Sequence, residues 1–503
     1  MAEMVTFIAD GQKIQAPEGS LLLQVLLDHG IAVPHFCYHA ALGPDGNCRM
    51  CMVEVEGQKR PQVACDTLVK RGMVVNTKNE SINDVKRSIL ELELLSHPVD
   101  CPICDQAGEC KLQDYYMAFG LNESRRDKEE KTHKEKRLDI GKNIILDQER
   151  CVLCARCTRF TQEITHTNEL AIVGRGNEAR ISTLPGKQMQ TPYAMNIIDL
   201  CPVGALTSKD FRFRQRVWFM HSAKGVCHGC AKGCNIHIDH NQEKYKSDTI
   251  FRFRPRINEE VNGHFICDEG RLSYHDENEE RLDVFFHQNR KITEDSALSY
   301  LLRYLYDERP LIIVSPSLSL EELCVIQLLA KRFDLDINAY TDAYVDEAFG
   351  DEWLRSSDRS ANLAGVKKLG IKTSKEDLVT ALEKTKVLVN FDHKALCQTS
   401  DELDNLFSRK TQIHFVSHLF DGCHKHELLL PVSSYSEQEG SLINEDGLLQ
   451  RFEAGLCNER KSILELLHTI NDTPPTPKAV WNEILSERLG LGHENIPPQG
   501  RRL

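Results

Sequence analysis

The chain has 503 residues, which is too many for one hydrophobic core and predicts three to five domains. Its 41% hydrophobic and 27% charged residues are ordinary for a soluble globular protein, and no apolar run approaches the length that spans a bilayer. A net charge of −13 argues against nucleic-acid binding, and the N-terminal MAEMVTF has no export signal, so we predict a cytoplasmic protein.

The first elements along the chain predict a small β-rich module. Two short strands flank Asp10-Gly11, which is a hairpin turn signal. Ser20 is placed to cap a helix over residues 21–29, and Gly30 is placed to end it. The further elements predicted in this part are two strands and a helix, at residues 52–56, 73–76 and 81–95.

The C-terminal half alternates short apolar runs with helical patterns. Buried strands are predicted at residues 311–315, 386–392, 413–417 and 427–431. The first of them precedes the amphipathic EELCVIQLLAKR, so we expect an α/β layer with a parallel sheet. FRFR occurs at 211–214 and again at 251–254, and we interpret each as a strand with one buried face.

The cysteines indicate the class of protein. Of the 19, 15 lie in tight groups between Cys37 and Cys267. In a chain with no export signal, grouped cysteines predict metal or cluster ligands rather than disulfides. We interpret the four scattered cysteines as small core residues; they are Cys324, Cys397, Cys423 and Cys457.

The first group supplies four thiolates, from Cys37, Cys48, Cys51 and Cys65. Four thiolates satisfy a [2Fe–2S] cluster, two for each iron. The glycine-containing loop GPDGNCRMC lets backbone N–H groups approach the sulfurs. Zinc also accepts four thiolates, so zinc is the alternative for this group taken alone.

The second group is one thiolate short of a [4Fe–4S] set. HPVDCPICDQAGEC contains Cys101, Cys104 and Cys110, and His97 lies four residues before the first of them. Histidine is an accepted iron ligand in iron–sulfur proteins. We therefore predict that His97 is the fourth ligand, through one of its ring nitrogens.

The third group has the most specific spacing in the chain. Cys151, Cys154 and Cys157 are followed at a distance by Cys201-Pro202. C-x2-C-x2-C with a distant Cys-Pro is the ferredoxin pattern for a [4Fe–4S] cluster.

The fourth group, Cys227, Cys230, Cys234 and Cys267, again supplies four thiolates. Zinc is an alternative for this group in isolation. Because the three other groups are complete sets of cluster ligands, a [4Fe–4S] cluster is favoured here as well. The sequence thus predicts one [2Fe–2S] and three [4Fe–4S] clusters.

The order of these groups, together with HPVDCPICDQAGECKLQD, ERCVLCARCTRF and IDLCPVGALTSKDFRFR, resembles the family of the large iron–sulfur subunit of respiratory complex I, the NADH:quinone oxidoreductase, over residues 1–275. ELLLPVSSYSEQEGSLINEDGLLQRF, at 427–452, resembles a segment of the molybdopterin oxidoreductase fold. The resemblance implies a multidomain α+β chain. It would have an N-terminal β-grasp [2Fe–2S] ferredoxin-like domain, ferredoxin-like [4Fe–4S] domains and a shortened, degenerate α/β molybdopterin-oxidoreductase-like scaffold.

The domain boundaries that we expect are 1–78 for the [2Fe–2S] domain, 79–118 for the His/Cys3 [4Fe–4S] domain, 119–139 for a charged linker, 140–216 for the ferredoxin-like [4Fe–4S] domain, 217–273 for the fourth-group [4Fe–4S] domain of the molybdopterin-oxidoreductase type and 274–503 for the scaffold.

The resemblance also implies partners and a place in the cell. In this family the large iron–sulfur subunit takes electrons from a flavin-bearing, NADH-oxidising subunit and passes them toward quinone. The flavin-bearing subunit and other hydrophilic-arm subunits would be the partners, peripheral to the inner (plasma) membrane, with membrane contact only through them. The chain would belong to a translocase without carrying a complete active site. By motif position it would hold the four ligand sets above, the fourth for an extra cluster that only some relatives have.

Other assemblies use a similar subunit, namely soluble NAD-linked hydrogenases, formate dehydrogenases and electron-bifurcating complexes. A molybdenum enzyme commonly has a lysine just after the fourth cluster, where this chain has Glu269, so we expect no molybdenum. GRGNEAR, at 174–180, does not sit between a strand and a helix and is predicted to be a loop. Flavin and the NADH site are therefore expected on another chain.

Overall fold

The computed structural model describes residues 3–120, 131–393, 401–419, 426–457 and 460–503, without the side chains of residues 401, 402 and 404. The chain divides into two compact units, Met1–Phe219 and Met220–Leu503, which we call the N-terminal and C-terminal units. Within the described ranges, no helix combines the length and apolarity that crossing a membrane requires.

The N-terminal unit begins with a five-stranded mixed sheet of order β2-β1-β5-β3-β4, in which β1 is parallel to β5. The elements of this region are β1 (Met4–Ala9), β2 (Gln12–Pro17), α1 (Leu22–Asp28), β3 (Met52–Val55), β4 (Gln62–Val63) and β5 (Val74–Asn76). Asp10 and Gly11 both have positive φ, 47° and 81°, as a tight hairpin requires. The capping prediction for Ser20 is wrong, because its hydroxyl donates to the Pro17 carbonyl and α1 begins without a side-chain cap.

The rest of the N-terminal unit contains the helices that flank the cysteine groups. Its elements are α2 (Glu80–Leu94), α3 (Lys111–Phe119), β6 (Leu138–Gly141), β7 (Ile144–Leu146), α4 (Arg156–Arg159), β8 (Leu170–Val173), β9 (Arg180–Thr183), α5 (Asn196–Leu200) and β10 (Leu206–Ser208). One sheet has the order β10-β7-β6, and β8 and β9 form a hairpin. Residues 174–179 of GRGNEAR form the connection of this hairpin, as predicted for a loop, and Arg180 already begins β9. Residues 121–130 of the expected linker lie outside the described residues.

Residues 211–214 do not form the predicted strand. They form consecutive turns, in which Phe211 is buried and Phe213 is 61% exposed. Phe213 has a φ of 61°, and its N–H donates to the Asp105 carboxylate over 2.9 Å. The chain therefore bends at Phe213 toward the second cysteine group instead of extending.

The C-terminal unit contains an antiparallel sheet, a larger α/β layer and a small third sheet. Its strands are β11 (His221–Val226), β12 (Asn235–Gln242), β13 (Asp248–Pro255), β14 (Phe286–His287), β15 (Arg290–Lys291), β16 (Leu311–Val314), β17 (Ile337–Asn338), β18 (Val387–Phe391), β19 (Thr411–Val416), β20 (Leu428–Pro431), β21 (Gly440–Ile443), β22 (Leu448–Phe452) and β23 (Arg501–Arg502). Its helices are α6 (Asp268–Leu272), α7 (Tyr274–Asn278), α8 (Glu294–Asp307), α9 (Leu320–Phe333), α10 (Leu363–Lys368), α11 (Lys375–Lys384), α12 (Asp401–Phe407), α13 (Ile463–Asn471), α14 (Pro477–Val480) and α15 (Ser486–Leu489). The second FRFR lies in β13, where Phe251 and Phe253 are buried, as predicted.

The α/β layer has the strand order β15-β14-β20-β19-β18-β16-β17, and the strands from β16 to β20 are parallel. Successive residues of β16 enter different apolar clusters: Ile312 and Val314 pack with α9 and α13, whereas Leu311 and Ile313 pack with α11. Burial on both faces explains why these strands are continuous apolar runs in the sequence.

Candidate metal centres

The first cysteine group lies in loops around β3 and β4. Cys37, Cys48, Cys51 and Cys65 are all buried and free of disulfides. Their thiols lie close enough to perturb one another. Interaction with Cys48 and Cys65 lowers the pKa of Cys37, and interaction with Cys65 lowers that of Cys51, whereas the same interactions raise the pKa of Cys48 and Cys65. The Phe36 N–H donates to Cys48 Sγ over 3.4 Å, so the loop backbone also reaches the sulfurs.

The second group surrounds the start of α3. Cys101 begins a single 3-10 turn, Cys104 follows that turn, and Cys110 directly precedes α3. Burial raises the pKa of the Cys110 thiol to about 11. Gly204 lies so close to Cys104 Sγ that a Cβ at position 204 would overlap the sulfur, so only glycine fits this contact.

His97 lies between α2 and this turn. Its Nδ1 is buried, and no described residue forms a hydrogen bond with it. Burial lowers the pKa of His97 to about 4, so the ring is neutral at pH 7. A neutral, buried ring with an orphaned nitrogen fits the role of a metal ligand.

An ion pair flanks the second group. Arg150 Nε and Nη2 donate to the two carboxylate oxygens of Asp100 over 3.1 and 2.9 Å. Both charges act on the pKa of His97 and of Cys104, which places these two predicted ligands beside the same pair.

The third group lines one cavity. Its wall contains all four predicted ligands, Cys151, Cys154, Cys157 and Cys201, and also Arg156. The other lining side chains are apolar: Leu146, Val152, Ala155, Ile181, Val203, Ala205 and Leu206. Burial raises the pKa of all four thiols, that of Cys151 to about 12. Cys154 and Cys157 are buried, and Cys151 and Cys201 are half-buried. A cage of four such thiols in apolar surroundings fits a [4Fe–4S] cluster, whose irons favour the thiolate form.

One apolar cluster contains cysteines from all three groups of the N-terminal unit. Cys37 and Cys48 of the first group, Cys110 of the second and Cys154 of the third are buried in it. The Lys111 N–H donates to the Pro202 carbonyl over 2.8 Å, which joins the loops of the second and third groups. The three groups are therefore packed around common side chains.

The fourth group lies in the C-terminal unit, and all four of its cysteines are buried. Cys227, Cys230 and Cys234 follow β11, and Cys267 directly precedes α6. The Gly270 N–H donates to Cys267 Sγ over 3.3 Å, and a Cβ at Gly270 would lie only 3.1 and 3.2 Å from the sulfurs of Cys227 and Cys267. Burial raises the pKa of Cys267 to about 11.

Residues distant in sequence hold the loop between β11 and β12. The Ala231 N–H donates to the Asp358 carbonyl over 2.8 Å, and the Ala231 carbonyl accepts from Glu445 N–H over 2.9 Å. Arg359 donates to Glu269 over 2.6 Å and to the carbonyl of Gly229 over 2.7 Å. Glu269, at the position where molybdenum enzymes commonly have a lysine, is thus engaged by an arginine of the same unit.

The scattered cysteines differ from one another. Cys324 is buried in α9, as predicted, whereas the core prediction for Cys457 is wrong because Cys457 is exposed. Cys397 and Cys423 lie outside the described residues. Among the residues that the structure describes, no three His, Cys, Asp or Glu side chains meet at the spacing of a single-ion site.

The sequence reasoning missed the charged and small residues around the ligands. Arg150 and Arg156 stand inside the motif ERCVLCARC, and Gly204 stands in CPVG, so their proximity in sequence to a ligand was an available signal. Their contacts, with Asp100, Tyr38 and Cys104, join segments that are distant in sequence.

Three family models match the N-terminal unit. The 2Fe-2S iron-sulfur cluster binding domain matches residues 2–80, the NADH-ubiquinone oxidoreductase-G iron-sulfur binding region matches 86–125, and the ferredoxin-like domain of NADH-quinone oxidoreductase subunit 3 matches 141–207. Fold and matches together define an iron–sulfur protein with both [2Fe–2S] and [4Fe–4S] modules, of mixed α/β structure.

Within that class, the chain is a relative of the G subunit of NADH-quinone oxidoreductase. It is 39% identical over 274 residues to the G subunit from Streptomyces coelicolor, covering 54% of this chain and 32% of the relative. It is 34% identical over 345 residues to the one from Rickettsia typhi, covering 67% and 50%. It is 37% identical over 308 residues to the NADH-ubiquinone oxidoreductase 75 kDa subunit of Reclinomonas americana, covering 60% and 44%.

The chain spans about a third to a half of the length of these relatives. Among solved structures, an NAD+-reducing [NiFe]-hydrogenase in the H2-reduced state is 32% identical, with a TM-score of 0.39, and the match covers 42% of this chain and 91% of the hydrogenase chain.

Proposed function

We propose that this chain is an electron-transfer subunit of an NADH:quinone oxidoreductase. It would receive electrons from a flavin-bearing, NADH-oxidising subunit and pass them toward quinone through the other subunits of the hydrophilic arm, peripheral to a membrane. The observation that carries the proposal is the apolar cluster shared by three cysteine groups, because electron transfer between centres requires that they lie close together. The named relatives supply the identity of the assembly.

The ligands follow from the four sets. Cys37, Cys48, Cys51 and Cys65 would hold a [2Fe–2S] cluster. The [4Fe–4S] clusters would be held by three sets, namely His97 with Cys101, Cys104 and Cys110; Cys151, Cys154, Cys157 and Cys201; and Cys227, Cys230, Cys234 and Cys267. When bound, such clusters accept and release single electrons. The chain's own contribution is to bury the thiols, to exclude water and to aim N–H groups at Cys48 and Cys267.

The C-terminal unit would be a degenerate molybdopterin-oxidoreductase-like scaffold that performs no chemistry of its own. This proposal is supported by the hydrogen bonds through which Asp358, Glu445 and Arg359 hold the fourth cysteine loop, because they give the unit a structural role. The domain limits at 78, 118, 139, 216 and 273 belong to the same proposal.

Metal analysis of the anaerobically purified chain tests this function. We expect about 14 irons and 14 sulfides per chain, from one two-iron and three four-iron clusters, and no molybdenum or tungsten. Paramagnetic resonance of the reduced protein should show both cluster types. Zinc in place of iron would refute the proposal, and one equivalent of molybdenum would assign the chain to a formate dehydrogenase.

A further inference from the structure

Arg156 stands out among the charged residues near the cysteine groups. It is the first residue of α4, directly before Cys157, and it lines the cavity that the third group encloses. Only 7% of the residue is exposed. A permanently charged guanidinium is therefore buried beside four thiols.

The hydrogen bonds of Arg156 go only to neutral groups. Nη1 donates to the Leu200 carbonyl over 3.0 Å, and Nη2 donates to the Tyr38 carbonyl. Nε is buried and has no partner within the described ranges. Tyr38 follows Cys37 and Leu200 precedes Cys201, so Arg156 connects the backbone beside the first and third groups. Among the residues that the structure describes, no carboxylate forms an ion pair with it.

Two neighbouring arginines are neutralised, in contrast to Arg156. Arg150 is paired with Asp100, and Arg159, in the same helix, places its Nε 2.9 Å from Glu163 Oε1. Burying a cation without a counter-ion is costly. The missing negative charge is therefore expected in the cavity that Arg156 lines, and an iron–sulfur cluster with four thiolates supplies such a charge.

We propose that Arg156 is a positioning residue that tunes the reduction potential of the cluster held by the third group. The inference rests on the proposed function, because it requires a [4Fe–4S] cluster in this cavity. Reduction adds one electron to an already anionic group. A fixed positive charge in a low-dielectric site therefore stabilises the reduced form and raises the midpoint potential. The bonds to Tyr38 and Leu200 hold that charge in place.

The test is a redox titration of the anaerobic 503-residue chain with dithionite as reductant, followed by paramagnetic resonance. Arg156→Gln removes the charge and keeps a hydrogen-bonding side chain. We expect the equilibrium constant for reduction of one [4Fe–4S] centre to fall about tenfold, which is about 59 mV for a one-electron couple. Arg159→Gln is the matched control, because it removes the same charge from the same helix at a side chain that pairs with Glu163 and is not among the lining residues of the cavity. It should leave that potential near the wild-type value.

Arg156→Lys keeps the charge, so its midpoint potential should stay close to the wild-type value. This variant also tests the inference if Arg156→Gln loses the cluster. An Arg156→Gln protein that is fully loaded with iron and has an unchanged potential would overturn the inference. The inference would also be overturned if Arg156→Lys and Arg156→Gln both lose the cluster, because the loss of side-chain packing would then explain both results. Absence of iron from the wild-type chain would instead refute the proposed function.

Discussion

Single residues around the sulfurs decide whether a cluster fits. Gly204 and Gly270 are the clearest cases, since each leaves the space beside a sulfur that any side chain would fill. Neither residue donates a ligand, so neither is visible in a search for ligand types. The close approach of backbone to sulfur is a common reason for glycine at such positions.

Gly204→Ala is expected to remove the cluster of the second group, because the new Cβ would overlap Cys104 Sγ. Iron analysis should show about four irons fewer per chain. The control is Gly141→Ala in β6, where the nearest atom to the new Cβ is 3.4 Å away and the contact is ordinary. Full iron content in Gly204→Ala would contradict the prediction, because it would show that the loop can shift to accommodate the new Cβ.

His97→Ala should lose or convert one [4Fe–4S] centre and leave the other three clusters, because one of its ring nitrogens is the predicted fourth ligand. His97→Cys should retain the centre at a lower potential, since thiolate adds negative charge where imidazole is neutral. The two variants are compared by paramagnetic resonance. His133→Ala, which changes a side chain that is 76% exposed in the same unit, is the control. Four unaltered clusters in His97→Ala would contradict the assignment.

At the scale of elements, α9 begins with a buried carboxylate. Glu321 is 1% exposed and accepts hydrogen bonds from the Ser441 N–H, the Ser441 hydroxyl and the Trp481 indole N–H. These bonds join α9 to β21 and to the helical turn after α14. Burial nevertheless raises the pKa of Glu321 from 4.5 to about 7.

A raised acid pKa in the folded state predicts that the C-terminal unit loses stability as pH rises from 4.5 to about 7, because only the folded state then still holds the proton. The size is about 3 kcal/mol at most. Glu321→Gln should flatten this slope in thermal unfolding between about pH 4.5 and 7. Glu376→Gln, an exposed position in the first turn of α11, should keep the wild-type slope. If stability depends on pH equally in both variants, Glu321 is not the cause of the pH dependence.

Helices and strands whose formation depends on a local sequence pattern could be predicted from the sequence. Those that depend on contacts with residues distant in sequence could not. The apolar runs of β16, β18, β19 and β20 and the Asp10-Gly11 hairpin carry their signal within a few residues. The strand predicted at 211–214 failed because Asp105, about a hundred residues earlier, accepts the Phe213 N–H and stabilises the bend. The ligand types were visible from spacing, whereas the Arg156 contact with Tyr38 crosses 118 positions and has no sequence pattern.

At the scale of the whole molecule, two compact units divide the cysteine groups three to one. The first three groups lie before Phe219, and the fourth lies entirely after it. Each unit has its own sheets and its own apolar clusters. Each should therefore assemble its own centres.

Residues 1–219 produced alone should hold about ten irons, and residues 220–503 alone about four. The measurement is iron per polypeptide after anaerobic purification, with the full chain as the reference. If both fragments are folded by circular dichroism and neither holds iron, the independence of the units is wrong.

The backbone hydrogen bonds that Ala231 donates to Asp358 and accepts from Glu445 also imply an order of events during synthesis. During synthesis, every predicted ligand of the first three groups has been added once Cys201 is in place, whereas the last segment that holds the fourth loop, at Glu445, is added more than 200 residues later. At 5–20 residues per second this delay is roughly 10–50 s. The nascent chain therefore carries every predicted ligand of its first three groups while the fourth group still lacks the segments that hold its loop.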